Sequence, residues 1–270
     1  MKVSQILSCI VLAAGTQMAL TALALDFRVE TDIFIGTEKK PAVENLTLFS
    51  DGQVYDFLLS GSKEITIYDP ARGQFKLLDT ERSLRSSIST QLLLEKVEAM
   101  EAGLAKGQDP FLKAVIKPKF ETTVEDVVEN GESRVRVTLT SKEITYKVIG
   151  QRPQHAAAVH AYRQFSDFFA RFNALRPGSL PPGARLELDR VLAERGLVPI
   201  EIERTVVSPG RKLEVRSRHL INWILSKQDQ QRIATAGNYL AELKEVDFEE
   251  HRLMPPVSKT AAKSATANKQ

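Results

Sequence analysis

The run ITIYDPARGQFKLLDTER, residues 65–82, sets Asp69, Arg72, Asp79, Glu81 and Arg82 close together in the chain. Two readings compete. Asp69 and Asp79 could be a carboxylate pair for acid/base chemistry, brought together across a short connection. Alternatively they are the punctuation of a β-hairpin. Ile65 and Ile67 alternate with Thr66 and Tyr68, Asp69-Pro70 has the chemistry that opens a turn, and Gly73 closes it. Phe75 and Leu77 then resume a buried face. The hairpin reading is the expected one, with Arg72 and Arg82 solvated or loosely paired.

Working outward, the same rhythm recurs on the N-terminal side. Leu25, Phe27, Val29, Ile33 and Ile35 alternate with Asp26, Arg28, Glu30 and Asp32, the period of a strand. VENLTLFS meets Asp51-Gly52, QVYDFLLS meets Gly61, and EITIYD leads into PARG. Turn signals about every ten residues predict an antiparallel meander. From Ser83 to Lys106 the spacing of Leu84, Ile88, Leu92, Leu93, Val97 and Met100 predicts a helix closed by Gly107. A helical turn opens at Asp109-Pro110.

The strand pattern returns in KFETTVEDV, the Asn130-Gly131 turn, SRVRVTLTS and EITYKVIG, with Val135, Val137 and Leu139 facing in and Arg134 and Arg136 out. Pro153–Leu175 is the clearest helix, carrying the stripe Tyr162, Phe165, Phe169 and Phe172 beside Phe168. ARLELDRVLAERG reads as a second helix, LVPIEIERTVV and KLEVRSRHLINWIL as long strands, and Ser226 with Asp229 as a capping start for another helix. VDFEE reads as a last edge strand. The predicted class is α+β: a curved antiparallel sheet of ten or eleven strands, an unclosed β-barrel, with helices packed on its concave face.

The chain has 270 residues, 43% of them hydrophobic, enough for an ordinary core. Its formal charge is +3, an excess that Lys259, Lys263 and Lys269 supply by themselves. The near-neutral body argues against a nucleic-acid binder, which needs a concentrated basic face. Residues 1–24 read as a secretory signal with small residues Ala22 and Ala24 at the cleavage site, so export to the periplasm or beyond is expected. Residues 25–252 then form a single β-rich domain, and 253–270 a disordered tail. No later segment reaches the roughly 18 apolar residues of a membrane span. The one cysteine, Cys9, lies inside the signal, which leaves the exported chain without disulfides or thiolate chemistry.

Motifs for catalysis are sparse. His155 and His160 sit five apart on one helix, roughly 140° around its axis, and do not share a face for a metal. His219 and His251 stand apart from them, and neither a metal site nor a cofactor is expected. No nucleophile elbow and no glycine-rich nucleotide loop occurs. Asn45-Leu46-Thr47 matches a glycosylation triplet but lies in a predicted strand. Arg134, Arg136, Arg216 and Arg218 are outward pairs that could meet an anionic lipid surface or an acidic partner, although Glu214 dilutes them. The aromatic stripe either fills a core or lines a hydrophobic cavity; Tyr162, Phe165, Phe169 and Phe172 are the candidate lining residues.

The order of elements, with the DG hairpin, the YDP…LLD strand pair and the late GLVPIEIERTV…LEVRSRHLINWIL hairpin, resembles the periplasmic LolA/LolB- and RseB-like proteins. The run FRVETDIFIGTEKKPAVENLTLFSDGQVYDF is similar to exported bacterial proteins of no assigned function. The resemblance implies an unclosed barrel of about eleven strands with helices across its concave face. It also implies non-enzymatic binding of a lipid, acyl chain or lipoprotein. The chain departs from that pattern by opening on a strand, and no functional residue is carried over. Two other expectations stand beside it: an envelope module that binds another protein, and a hydrolase built on Asp69 and Asp79.

Overall fold

The computed structural model describes residues 25–61, 63–129 and 131–254. The expected signal with its Ala22 and Ala24, the Asn130 of the expected turn, and the expected tail beyond Met254 lie outside the described residues. The element order is β1 Phe27–Ile35, β2 Val43–Ser50, β3 Gln53–Leu58, β4 Glu64–Asp69, β5 Gln74–Asp79 and β6 Leu84–Ser89, followed by helices α1 Thr90–Lys106 and α2 Pro110–Ile116. Strands β7 Glu121–Glu129, β8 Glu132–Thr140 and β9 Ile144–Gln151 come next, then α3 Ala157–Ala174 and α4 Gly183–Glu194. The chain continues through β10 Val198–Ser208, β11 Arg211–Asn222, α5 Lys227–Glu242, β12 Lys244–Glu245 and α6 Phe248–Leu253.

The twelve strands among the described residues join one sheet in the order β12-β6-β5-β4-β3-β2-β1-β11-β10-β9-β8-β7. Two meanders, β1–β6 and β7–β11, are joined where β1 pairs with β11, so the first strand sits in the middle of the sheet. Pairing is antiparallel throughout except for β12, which runs parallel to β6. The sheet does not close: β7 is one edge and β12 the other.

Residues 65–82 settle the question they raise. Asp69 pairs with Gln74 and Asp79 with Leu84, so each aspartate ends a strand and opens a four-residue turn. The two turns are built alike. Asp69 accepts from the backbone N–H of Arg72 (3.0 Å) and from its Nη1 (2.8 Å). Asp79 accepts from the N–H of Arg82 (2.9 Å) and from its Nη1 (2.9 Å). The residue after each arginine, Gly73 at φ 58° and Ser83 at φ 57°, takes the left-handed conformation that returns the chain. The arginines are bound to the aspartates, closer than the loose pairing expected. The aspartates stand at opposite ends of the β4–β5 pair, about 17 Å apart at the rise of a strand, and do not converge.

Both faces of this half of the sheet are buried. On the front face Tyr68 stacks on Phe75 at 4.6 Å, and Phe27 stacks on Phe49 at 4.0 Å, beneath α1, α3 and α6. On the back face Leu46, Leu48, Ile65, Ile67 and Leu78 pack under α5 through Ala236 and Leu240. Thus α5 lies on the side opposite the other helices, where the sequence reading placed every helix on one face. Each fully buried side chain of this size contributes about 1.5–3 kcal/mol. The Ser226/Asp229 capping box is formed, and Arg28 Nη1 on β1 holds Asp229 at 3.0 Å, fixing the start of α5 to the back of the sheet.

Two further differences have clear causes. Leu84–Ser89 is strand β6, not the first turns of a helix; α1 begins at Thr90, capped by Ser89, whose Oγ accepts from Leu92 N–H at 3.1 Å. VDFEE is not an edge strand: Asp247 caps the short helix α6, and the pairing with β6 runs through Lys244 and Glu245 and ends at Val246, whose N–H donates to the Arg85 carbonyl at 2.9 Å.

Candidate functional site

A cavity of about 550 Å³ lies between the front of the sheet and the α3–α4 unit. Its floor crosses six neighbouring strands, β3-β2-β1-β11-β10-β9. Five strand spacings make it about 24 Å long. Its roof is α3, the loop 178–182 and the first turn of α4. The size is that of a pocket for one small or elongated molecule.

Tyr162, Phe165 and Phe169 line this cavity. Phe172 does not: one turn on, it packs against Phe75 (5.7 Å) and Phe248 (6.2 Å) in the core. The aromatic stripe therefore does both jobs considered for it, filling the core at its C-terminal end and roofing a space before that.

The floor is apolar at Val29, Ile33, Ile202, Leu213 and Val215, with polar side chains set among them. His219 on β11 has both ring nitrogens engaged, Nδ1 with Thr31 Oγ1 and Nε2 with Ser217 Oγ, each at 3.0 Å. Burial, with Arg185 nearby, pushes its pKa down to about 3, so it is a neutral fixture and not a proton carrier near neutral pH. At the β3 end Asp56 accepts from Thr47 Oγ1 (2.6 Å) and Asn45 Nδ2 (2.9 Å). Asn45, the residue of the glycosylation triplet, is therefore committed to the sheet, and its own Oδ1 is buried without a partner. Burial raises the Asp56 carboxyl to about 6, the two hydrogen bonds only moderating the shift.

That shift has a sign. The folded state holds the Asp56 proton more tightly than the unfolded chain does. The stability this gives is complete below about pH 4 and is lost as the pH rises through about 6. Asp56→Asn should remove the dependence. It is expected to raise stability at pH 8 by about 2–3 kcal/mol relative to wild type and to change little at pH 4. Thr47 keeps its acceptor on the new side-chain oxygen, and the introduced amide can donate to Asn45 Oδ1 once the Asn45 amide turns over, since its Nδ2 now faces the carboxylate. Denaturant unfolding at the two pH values checks this; equal effects at both would contradict it.

The roof carries an ion pair. Arg185 Nε meets Asp189 Oδ1 and Oδ2 at 3.0 and 3.1 Å, its Nη2 donates to Ser166 Oγ at 2.8 Å, and Ser166 Oγ donates to Asp189 Oδ2 at 2.8 Å. Asp189 is 3% exposed, and burial pushes its carboxyl up against the opposing pull of Arg185. Helix α4 is positioned for this by a close backbone approach. A Cβ on Gly183 would stand 2.0 Å from the carbonyl oxygen of Ile116 at the end of α2. Only glycine fits there.

The other sequence candidates are scattered. Arg216 and Arg218 lie over the Phe34 ring at 4.8 and 5.6 Å, while Arg134 pairs with Glu132 and Arg136 faces Glu125 and Glu129. Strands β9 and β10 separate the two pairs, so they form no single basic patch. His155 and His160 are exposed, and His251 is buried against Ser86 Oγ at 2.7 Å. Among the described residues no group of three or more histidine, aspartate or glutamate side chains is placed to hold a metal ion. Among the same residues no helix is long and apolar enough to cross a membrane.

The residues the sequence reading missed are Asp56, Arg204 and His219. Each sits on the inward phase of its strand: Arg204 with Ile202 and Val206, His219 with Leu213 and Val215, Asp56 with Val54. A polar residue in an inward phase was the available signal.

No protein-family profile matches the chain, and no curated protein does. Among solved structures it is similar to PNGF-II in two crystal forms. In the P21 form the TM-score is 0.38 at 10% identity, covering 84% of this chain and 32% of that one. In the C2 form it is 0.34 at 9% identity, covering 90% and 33%. The chain spans about a third of the length of the solved structures it matches.

Proposed function

We propose that this protein is an exported, non-catalytic binder of an elongated hydrophobic group, such as a lipid, an acyl chain or the acyl part of a lipoprotein. The observation that carries the proposal is the cavity under Phe165 and Phe169, about 550 Å³ in volume and floored by six strands. Protein interiors are close-packed, so a space of this size between a sheet and its covering helices calls for an occupant. Its walls are mainly apolar, as a chain-binding pocket requires. The signal-like residues 1–24 supply the export part of the reading. The LolA/LolB- and RseB-like resemblance fits an unclosed sheet that binds an acyl group. The hydrolase alternative has lost its carboxylate pair, because Asp69 and Asp79 are each consumed by their own turn.

Native mass spectrometry of protein purified from its own host is expected to show a bound lipid. Ala170 lines the cavity, and Ala170→Trp should fill part of it. That variant is expected to lose the adduct while keeping the wild-type circular dichroism. A clean apo mass for the wild type would count against ligand binding and in favour of a protein-binding module of the envelope.

A further inference from the structure

The cavity is not electrically symmetric. Arg204 enters it from β10, with Tyr146 and Val215 as its neighbours on β9 and β11. Its Nε is buried with no hydrogen-bond partner, and among the described residues no carboxylate pairs with its guanidinium. Arg185, in the roof, has its charge matched by Asp189. Asp56, the carboxylate of the floor, is four strands away on β3, about 19 Å across the sheet. One end of the space thus holds an unmatched guanidinium beside the hydroxyl-bearing Tyr146, and the other a carboxyl. Arg204 as a whole is only partly buried, but its Nε is shut away from water, and a buried donor without a partner is costly and is ordinarily completed by an acceptor, here an anion. Arginine's planar fork suits a carboxylate or a phosphate.

We propose that the ligand is a single-headed amphiphile whose anionic head, a carboxylate or a phosphate monoester, binds Arg204 while its apolar chain lies under Phe165 and Phe169. The inference rests on the hydrophobic-ligand reading above and adds the head group and the orientation. Asp56 would repel a head at the opposite end, so the charges admit one direction of binding.

The test is displacement of a neutral naphthylamine probe from the full-length exported protein by dodecanoate, dodecyl phosphate and dodecanol in slightly alkaline buffer. Wild type is expected to bind at least one of the anions roughly tenfold or more tightly than the alcohol, the size of a charge-assisted hydrogen bond. The tighter of the two anions then identifies the head as carboxylate or phosphate. Arg204→Gln should erase the preference and leave dodecanol unchanged, and Arg204→Lys should retain part of it. Equal affinities for all three ligands in wild type would overturn the head-group proposal while leaving the hydrophobic reading intact. So would an equal loss for all three in Arg204→Gln. Failure of all three to displace the probe would overturn both. If Arg204→Gln does not fold, the wild-type comparison of anion with alcohol still decides.

Discussion

Replacing Asp189 by alanine is expected to destabilise the protein by about 3–5 kcal/mol, the usual cost of removing one partner of a buried ion pair. The carboxylate accepts from Arg185 and Ser166, and its side chain is 1% exposed against 28% for Arg185. Without it the guanidinium remains under α3 with no counter-charge and Ser166 loses its acceptor. At roughly 2–4 °C per kcal/mol for a chain of this size, the thermal midpoint should fall by about 10 °C. The control is the double variant Asp189→Ala with Arg185→Met, which removes both charges. It should recover most of the loss, because the penalty belongs to the stranded charge and not to the missing attraction. A drop below about 1 kcal/mol for the single variant would mean that water reaches Arg185 freely.

Gly183→Ala is the second large effect. The added methyl would meet the Ile116 carbonyl oxygen at 2.0 Å and its carbon at 3.0 Å, and a backbone carbonyl has no rotamer by which to escape. Helix α4 must move away from α2, taking Arg185 with it. A cost of about 3 kcal/mol or more is expected, at or beyond the upper end for overpacked sites. Gly237→Ala is the matched control. Gly237 lies exposed within α5, and a Cβ there meets nothing within 4 Å. That substitution should stabilise by up to about 1 kcal/mol through helix propensity. Urea unfolding of the two variants separates a steric clash from a general intolerance of alanine.

Much of the fold was legible because strand period and turn chemistry agree along residues 27–79. Asp51-Gly52, Gly61 and Asp69-Pro70 each fall where the alternation stops. Residues 84–89, a strand, carry a pattern that fits a helix as well. Leu84, Ile88 and Leu92 are four apart, and a step of four satisfies both a helix face and a strand face. Only Ser86, on the same side as Leu84 and Ile88 and buried against His251, separates the two. The back-face position of α5 depends on which side of β2 carries Leu46 and Leu48 and which carries Thr47 and Phe49. An alternation with both phases apolar does not announce its two faces. The cavity was half legible. The aromatic stripe pointed to α3, but Asp56, Arg204 and His219 line one cavity only because β1 sits at the centre of the sheet, a long-range pairing that no local pattern carries.

An unclosed sheet has two ends to protect, since an unpaired strand invites another to join it. At one end β12 lies along β6, and Arg85 fastens it by donating to the Leu243 carbonyl at 3.1 Å and to Glu245 at 2.9 Å. At the other end β7 offers nine residues of open backbone. Glu121, Glu125, Asp126 and Glu129 lie on it with no lysine or arginine among them. Arg136 answers part of that charge, but from the neighbouring strand. Two copies of the chain meeting along β7 would bring four carboxylates from each into register, with no cation in either strand to relieve them. The molecule can thus leave its barrel open without recruiting its own copies along that rim: like charge does there what a closing strand does elsewhere.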